Sequence, residues 1–559
     1  MTGRTRAGAL GCVAVSIAVV AGGASAAPPA GGGFVTKVKP YAVGLAGTGW
    51  TTRPILSAAD VVPETGAAGQ QYRMVGIPDG LGVERKRGRV RVLMTHEFAQ
   101  SISTEPRVGR PKQRGAFASD LLLNRAGRVI SARRAFDRVY QDSTFVGPAA
   151  AADNATRAFS RWCSAFLATR RVGLDRSIFF ANEETGPRSG SAGGDTEAFS
   201  PLGSQSVAIF GNEAHALSRL GHFPRENTVV MRGTGKRTVI LITEDGPRSP
   251  DSQLYLYVGR KDRSSSDPLR RNGLDNGRLY AFASDDARDS ENQLLQGDTV
   301  RGHWVEIPNA ATLNDVATEA ALDAAGAFGF VRLEDGAFRP NANREFWFNA
   351  TGDQSKANEA DPHTNELGRT YRLRFHGRDP LAGATLTQTY NADQLTPAQD
   401  GPLSPDNLDV TKRFAMINED GTAGGSPADR EAGTDVTTGS RDDMDRRDRD
   451  GSIWMVPLAS AGDPSSFTRV AELVGRDEGD RNGVKTVDEH GNRAGVWETS
   501  GIVDARRAFG RDTFLFDVQA HPPFRPMGQP PVESPGGRPV TGEDGQLLLL
   551  ERKGGKHKH

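Results

Sequence analysis

A lone cysteine twenty residues ahead of two adjacent glutamates is the first feature that could do chemistry. Cys163 lies in "RWCSAFLA", and Glu183 and Glu184 close the run "SIFFANEE". Carboxylates end other apolar runs as well. Glu97 ends "VLMTHEF", Glu244 and Asp245 end "VILITED", Glu334 and Asp335 end "VRLED", and Glu419 and Asp420 end "FAMINED". Taken singly, an acid before glycine is an ordinary turn former after a strand. Taken as a series, these acids suggest strand ends converging on one channel, where clustered carboxylates need cations to neutralise them. A thiolate among carboxylates suits iron, and the remaining oxygen ligands suit calcium. A small buried apolar side chain is the other reading of a lone cysteine.

Such a set needs strands to position it. "RVRVLMTHEF", "SQLYLYVG", "EFWFNATG", "GSIWMVPL" and "DTFLFDVQAH" are rich in β-formers and bounded by Gly, Asp, Asn or Pro. With 66 Gly, 32 Pro and 37% hydrophobic residues, the chain reads as short strands joined by long polar loops. The fold class is all-β, a radial propeller-like architecture with long loop insertions and a few short helices. "NDVATEAALDAAGAFG" is the best helical stretch, and "DNATRAFSRWCSAFLA" is a second candidate. Residues 261–275, 376–405 and 421–450 read as insertions, the last a flexible polar surface loop.

The N-terminus reads as an export signal. Arg4 and Arg6 precede the apolar run "ALGCVAVSIAVVA", and Ala24-Ser25-Ala26 forms a small-residue cleavage site. Cleavage is expected before Ala27, giving a secreted, extracellular protein with no transmembrane segment. Of the two cysteines only Cys163 would remain, which excludes an internal disulfide and a cysteine-based zinc site. The divisions expected are a signal at 1–26, an N-terminal extension with first strands at 27–69, a single propeller domain at 70–550, and a charged tail at 551–559. The 69 basic and 69 acidic residues cancel, which argues against a nucleic-acid partner.

Several familiar motifs fail on spacing. "THEFAQ" places Gln100 where a zincin needs its second histidine. "RGTGKRT" lacks the Walker A spacing, and there is no G-x-S-x-G elbow. "DMDRRDRDGSI", aligned on Gly451, puts Arg446 and Pro457 at ligand positions of a calcium loop.

The order of the surviving motifs resembles the PhoX-type alkaline phosphatase family. "YRMVGIPDGLGV" with "VLMTHEF", "RWCSAFLA" with "IFFANEETG", and "LGHFPRENTVV" with "ILITEDGPRSPDSQLYLYVG" resemble its successive blocks. "NGLDNGRLYAF", "VRLEDG", "LSPDNLDV" with "FAMINEDG", and "WETSGIVDARRAFGRDTFLFDVQAHP" follow in the family's order. The resemblance runs from about residue 70 to residue 521. It implies a six-bladed β-propeller that hydrolyses phosphate monoesters with calcium and iron on its axis and no protein nucleophile. It also implies Cys163 as an iron-binding thiolate, Glu97, Glu183, Glu184, Glu226 and Glu334 as metal carboxylates, and Arg332 as a phosphate contact. A monomer acting on a small phosphate ester is expected. The chain reads "CSAFLATRRVG" where the family carries a glycine pair after the cysteine, which implies a divergent branch. A non-catalytic, calcium-stabilised propeller binding a partner or polymer at the cell surface is the alternative. A propeller lactonase or esterase with one central calcium ranks below it.

Overall fold

The computed structural model describes residues 32–186, 197–246, 250–352, 363–396, 398–420, 451–474, 497–520 and 541–552. The signal region and the 421–450 loop expected from the sequence lie outside these residues.

Six strands stand at the ends of their sheets: Pro78–Lys86, Trp162–Ala168, Thr228–Val230, Leu333–Phe338, Pro405–Val410 and Glu498–Asp504. Each touches the next in sequence, and the last touches the first, so they ring one centre. From each, the chain builds outward in antiparallel strands. Two sheets fuse at their outer edges, where Thr299–Ile307 pairs with Ala384–Asn391. Val229, Leu241, Phe282, Phe348 and Tyr371 pack together in the core beside that fusion. Burying each such side chain contributes about 1.5–3 kcal/mol.

The inner strands approach one another backbone to backbone. A Cβ on Gly80 would lie 2.3 Å from Ala165 N, and one on Gly501 would lie 2.4 Å from the Asp79 carbonyl. Only glycine permits this approach, and it narrows the ring enough for side chains from different strands to meet.

The N-terminal segment contributes strands to the sheets. Trp50–Ser57 pairs with Asp544–Arg552 and forms the outer strand of the last sheet. Ala42–Gly44 likewise joins the sheet before it. Joining the first strands to the last ones closes the ring and covers sheet edges. Glu551 and Arg552, expected in the tail, end that closing strand.

The helix of the best candidate stretch spans Asp315–Ala325. Asn314 caps it by accepting from Ala317 N at 2.8 Å, and Gly326 ends it at φ 64°. The second candidate is wrong: Trp162–Ala168 is a strand paired with Ile178–Glu183. Its short apolar run suits either period, and sheet hydrogen bonding decides. Residues 376–405 are also more than an insertion, because Ala384–Asn391 pairs on both of its sides. Among the described residues, no helix is long and apolar enough to cross a membrane.

Candidate metal centre

Four inner strands begin with the same backbone device. Ile77, Arg161, Arg332 and Ser404 have φ of 36°, 44°, 50° and 42°. Two residues after each come Asp79, Cys163, Glu334 and Asp406. At each of these the strand register shifts, between 78 and 81, 162 and 165, 333 and 336, and 405 and 408. The carbonyl of each left-handed residue accepts an N–H from the neighbouring strand end. The donors are Glu97, Glu184, Thr351 and Asp420, at 3.1, 2.9, 3.0 and 3.0 Å. Left-handed conformation costs a non-glycine residue about 1–3 kcal/mol and marks functional sites. A bulge re-aims the side chain that it carries. Here it brings four side chains from four strands to one place.

Ligand atoms of Asp79, Glu97 and Cys163 lie within 4.8 Å of one another. The same spacing holds for Cys163, Glu184 and Glu226, and again for Glu226, Glu334 and Asp406. Cys163 and Glu226 are shared, so the three groups form one continuous cluster. The Cys163 thiol donates to Asp79 Oδ2 at 3.2 Å. Ser164 donates to Glu226 Oε1, and Asn407 Nδ2 donates to Ser164 Oγ at 2.5 Å. Gln519 Nε2 donates to Asp79 Oδ2 at 3.1 Å and to Glu97 Oε2 at 3.0 Å. Two inner-strand carbonyls are tied across to neighbouring sheets. Thr95 Oγ1 donates to the Cys163 carbonyl at 3.0 Å, and Asn349 Nδ2 donates to the Asp406 carbonyl at 2.9 Å.

The cluster carries more negative charge than the protein around it can satisfy. Asp79 Oδ1, Glu226 Oε2 and Asp406 Oδ1 are buried and have no hydrogen-bond partner among the described residues. Burial, then the Glu97 charge, pushes the Asp79 carboxyl up to about 8. Burial, then Asp79 and Glu226, holds the Cys163 thiol well above its ordinary range. Burial and neighbouring carboxylates raise Glu184, Glu226, Glu334 and Asp406 in the same sense. Orphaned acceptors in a dry site are costly, and cations satisfy them. One thiol with several carboxylates is thus a donor set that fits bound metal.

Arg332 faces this cluster from one side. Its Nε and Nη2 grip Asp245 at 3.0 Å each, and Nη2 lies 3.4 Å from Glu334 Oε1. Asp420 is a further negative charge near this guanidinium.

Five of the six carboxylates and thiols proposed from the sequence as ligands come together: Cys163, Glu97, Glu184, Glu226 and Glu334. Glu183 does not. Its carboxylate turns the other way and accepts N–H groups of Ser160, Phe199 and Gln205 at 3.1, 3.0 and 3.3 Å. Successive strand residues face opposite sides, so only one of the adjacent pair can reach the centre. The same division separates Glu244, held by Gln253 N and Tyr255 Oη, from Asp245 at Arg332. Glu334 and Asp335 divide in the reverse order, because they lie on an inner strand at its bulge. Asp335 accepts from Gly336 N, and from Leu408 N at 3.2 Å.

Asp79 and Asp406 are functional candidates that sequence reasoning missed. "IPDGL" and "SPDNL" carry them in one shared frame, x-Pro-Asp-x-Leu. That frame was the available signal.

The family model "Alkaline phosphatase PhoX" matches residues 210–449. The structure of Pseudomonas fluorescens PhoX in complex with vanadate, a transition state analogue, is similar at 14% identity and a TM-score of 0.56. The alignment covers 93% of this chain and 97% of that one, and it shows a shared fold. The GH93 α-L-arabinofuranosidase of Fusarium graminearum with arabinobiose aligns at 10% identity and a TM-score of 0.36, over 90% of this chain and 98% of that one. No curated protein matches.

Proposed function

We propose that the chain is a member of the PhoX-type alkaline phosphatase family, whose model matches residues 210–449, and that it hydrolyses phosphate monoesters at the Cys163 cluster with bound calcium and iron. The observation that carries this reading is the continuous cluster of carboxylates around one thiol, with a clamped arginine beside it. Cys163, with Asp79, Glu184 and Glu226 around it, is the place for iron. Glu97, Glu334 and Asp406 offer oxygen ligands for calcium. When bound, such cations would polarise phosphoryl oxygens and supply an activated oxygen nucleophile.

The chain's own residues prepare for that chemistry. Asp245 fixes the Arg332 guanidinium beside the cluster, where it would hydrogen-bond a phosphoryl oxygen. Gln519 holds Asp79 and Glu97 in register. Ser164 and Asn407 orient Glu226. No serine or histidine nucleophile is needed, which agrees with the missing serine elbow. Export belongs to the same reading, with the Ala24-Ser25-Ala26 site cleaved before Ala27.

Elemental analysis of protein exported by its native host, with a p-nitrophenyl phosphate assay with and without calcium, tests the proposal. Bound iron and calcium with calcium-dependent turnover are expected. Absence of both metal and turnover would sink it.

A further inference from the structure

We propose that Arg161 is a second phosphate-binding cation, standing by Glu97 as Arg332 stands by Glu334, on the same backbone device. This rests on the phosphoesterase reading above and adds a substrate contact to it.

Arg161 and Arg332 occupy equivalent positions. Both are left-handed non-glycine residues, with φ of 44° and 50°. Each stands two residues before a cluster side chain, Cys163 in one case and Glu334 in the other. The carbonyl of each accepts the N–H at the end of the next strand, Glu184 N for Arg161 and Thr351 N for Arg332. At the two other positions of the set the residues are Ile77 and Ser404, so only these two carry a guanidinium.

Their engagement differs. Arg332 is held by two 3.0 Å bonds to Asp245, and 18% of its side chain is exposed. The Arg161 side chain is 48% exposed, and its ion pair with Glu97 Oε1 is long, at 3.9 Å. Glu184 and Glu197 are its other carboxylate neighbours. Glu184 is in turn a neighbour of Asp245, the partner of Arg332. Arg161 therefore stands at the Glu97 end of the cluster and Arg332 at the Glu334 end. Arg332 is held by two short bonds, whereas Arg161 makes one long ion pair and is half exposed, so it can reach an arriving dianion. A phosphate monoester carries two negative charges and can accept from both, since each guanidinium suits phosphoryl geometry.

The test uses the full secreted chain and the Arg161→Gln and Arg161→Lys variants, neither of which changes the non-glycine backbone requirement. Orthophosphate affinity is measured by calorimetry, KM and kcat with p-nitrophenyl phosphate, and iron and calcium by elemental analysis. Arg161→Gln should weaken orthophosphate binding and raise KM by roughly tenfold, with a smaller change in kcat and unchanged metal content. Arg161→Lys should restore most of the affinity. Wild-type affinity and KM in Arg161→Gln overturn the inference, and so does loss of metal in that variant, which would make Arg161 part of the scaffold. Wild-type protein that neither binds orthophosphate nor turns over the ester overturns the phosphoesterase reading itself.

Discussion

Cys163 Sγ lies 3.2 Å from Asp79 Oδ2, joining two inner strands whose residues are 84 apart in sequence. The thiol donates in that contact, and burial keeps it protonated. A bound cation would displace this proton and take both groups as ligands. Cys163→Ser is therefore expected to lose iron while retaining most of its calcium, with turnover reduced at least a hundredfold, on the order of 3 kcal/mol or more. Metal analysis beside the esterase assay checks this. Unchanged metal and function in the variant would favour the non-catalytic propeller.

Glu183 and Glu184 should separate cleanly. Glu183→Gln removes the anion that accepts three backbone N–H groups, so it should destabilise the fold by about 2–3 kcal/mol. Its metal content, measured on the folded fraction, should match wild type. Glu184→Gln should show the opposite: reduced metal and near-normal urea midpoint in the metal-free state.

Asp245→Asn breaks the charge that holds Arg332. Arg332 would then swing towards Glu334, 3.4 Å away. A fall in kcat/KM of about tenfold to a hundredfold is expected, with metal content kept. The same assay on Arg332→Gln should give an equal or larger loss.

Chelation should lower the melting temperature, because the orphaned oxygens of Asp79, Glu226 and Asp406 again lack partners. Calcium at about a hundred times its dissociation constant should restore about 2.7 kcal/mol. Differential scanning fluorimetry with a calcium titration reads this directly. A melting temperature indifferent to chelator and calcium would count against the cluster as a metal site.

Glu319, on the Asp315–Ala325 helix, gives a pH signature away from the cluster. Burial, then the Glu244 charge, pushes it up to about 10. Burial also pushes Glu244 up to about 8. Both folded values exceed the ordinary carboxylate value, so the folded state holds more protons than the unfolded one. Stability is then fully present at acid pH and falls as pH rises through these values. The wild-type melting temperature should drop between about pH 6 and about pH 9, and Glu319→Gln should lose less over the same interval.

The chain's amino acids by themselves determined that short strands end in acids, that one thiol lies among them, and which family the motif order resembles. Those features are local: strand-forming residues, turn residues and charges can be read in single segments. Even the closing frame x-Pro-Asp-x-Leu around Asp79 and Asp406 was present to be read. Which acid of an adjacent pair faces the centre was decided only by the tertiary structure. Glu183 and Glu184 are chemically alike, and pleating alone sends one to backbone donors and the other to the cluster. Glu334 and Asp335 reverse the order because a bulge shifts the phase at that strand. The pairing of Trp50–Ser57 with Asp544–Arg552 was equally hidden, since contacts between the chain's two ends leave no local signature. Arg161 and Arg332 became equivalent only when their backbones were seen to share one left-handed turn, a conformation that no residue type announces.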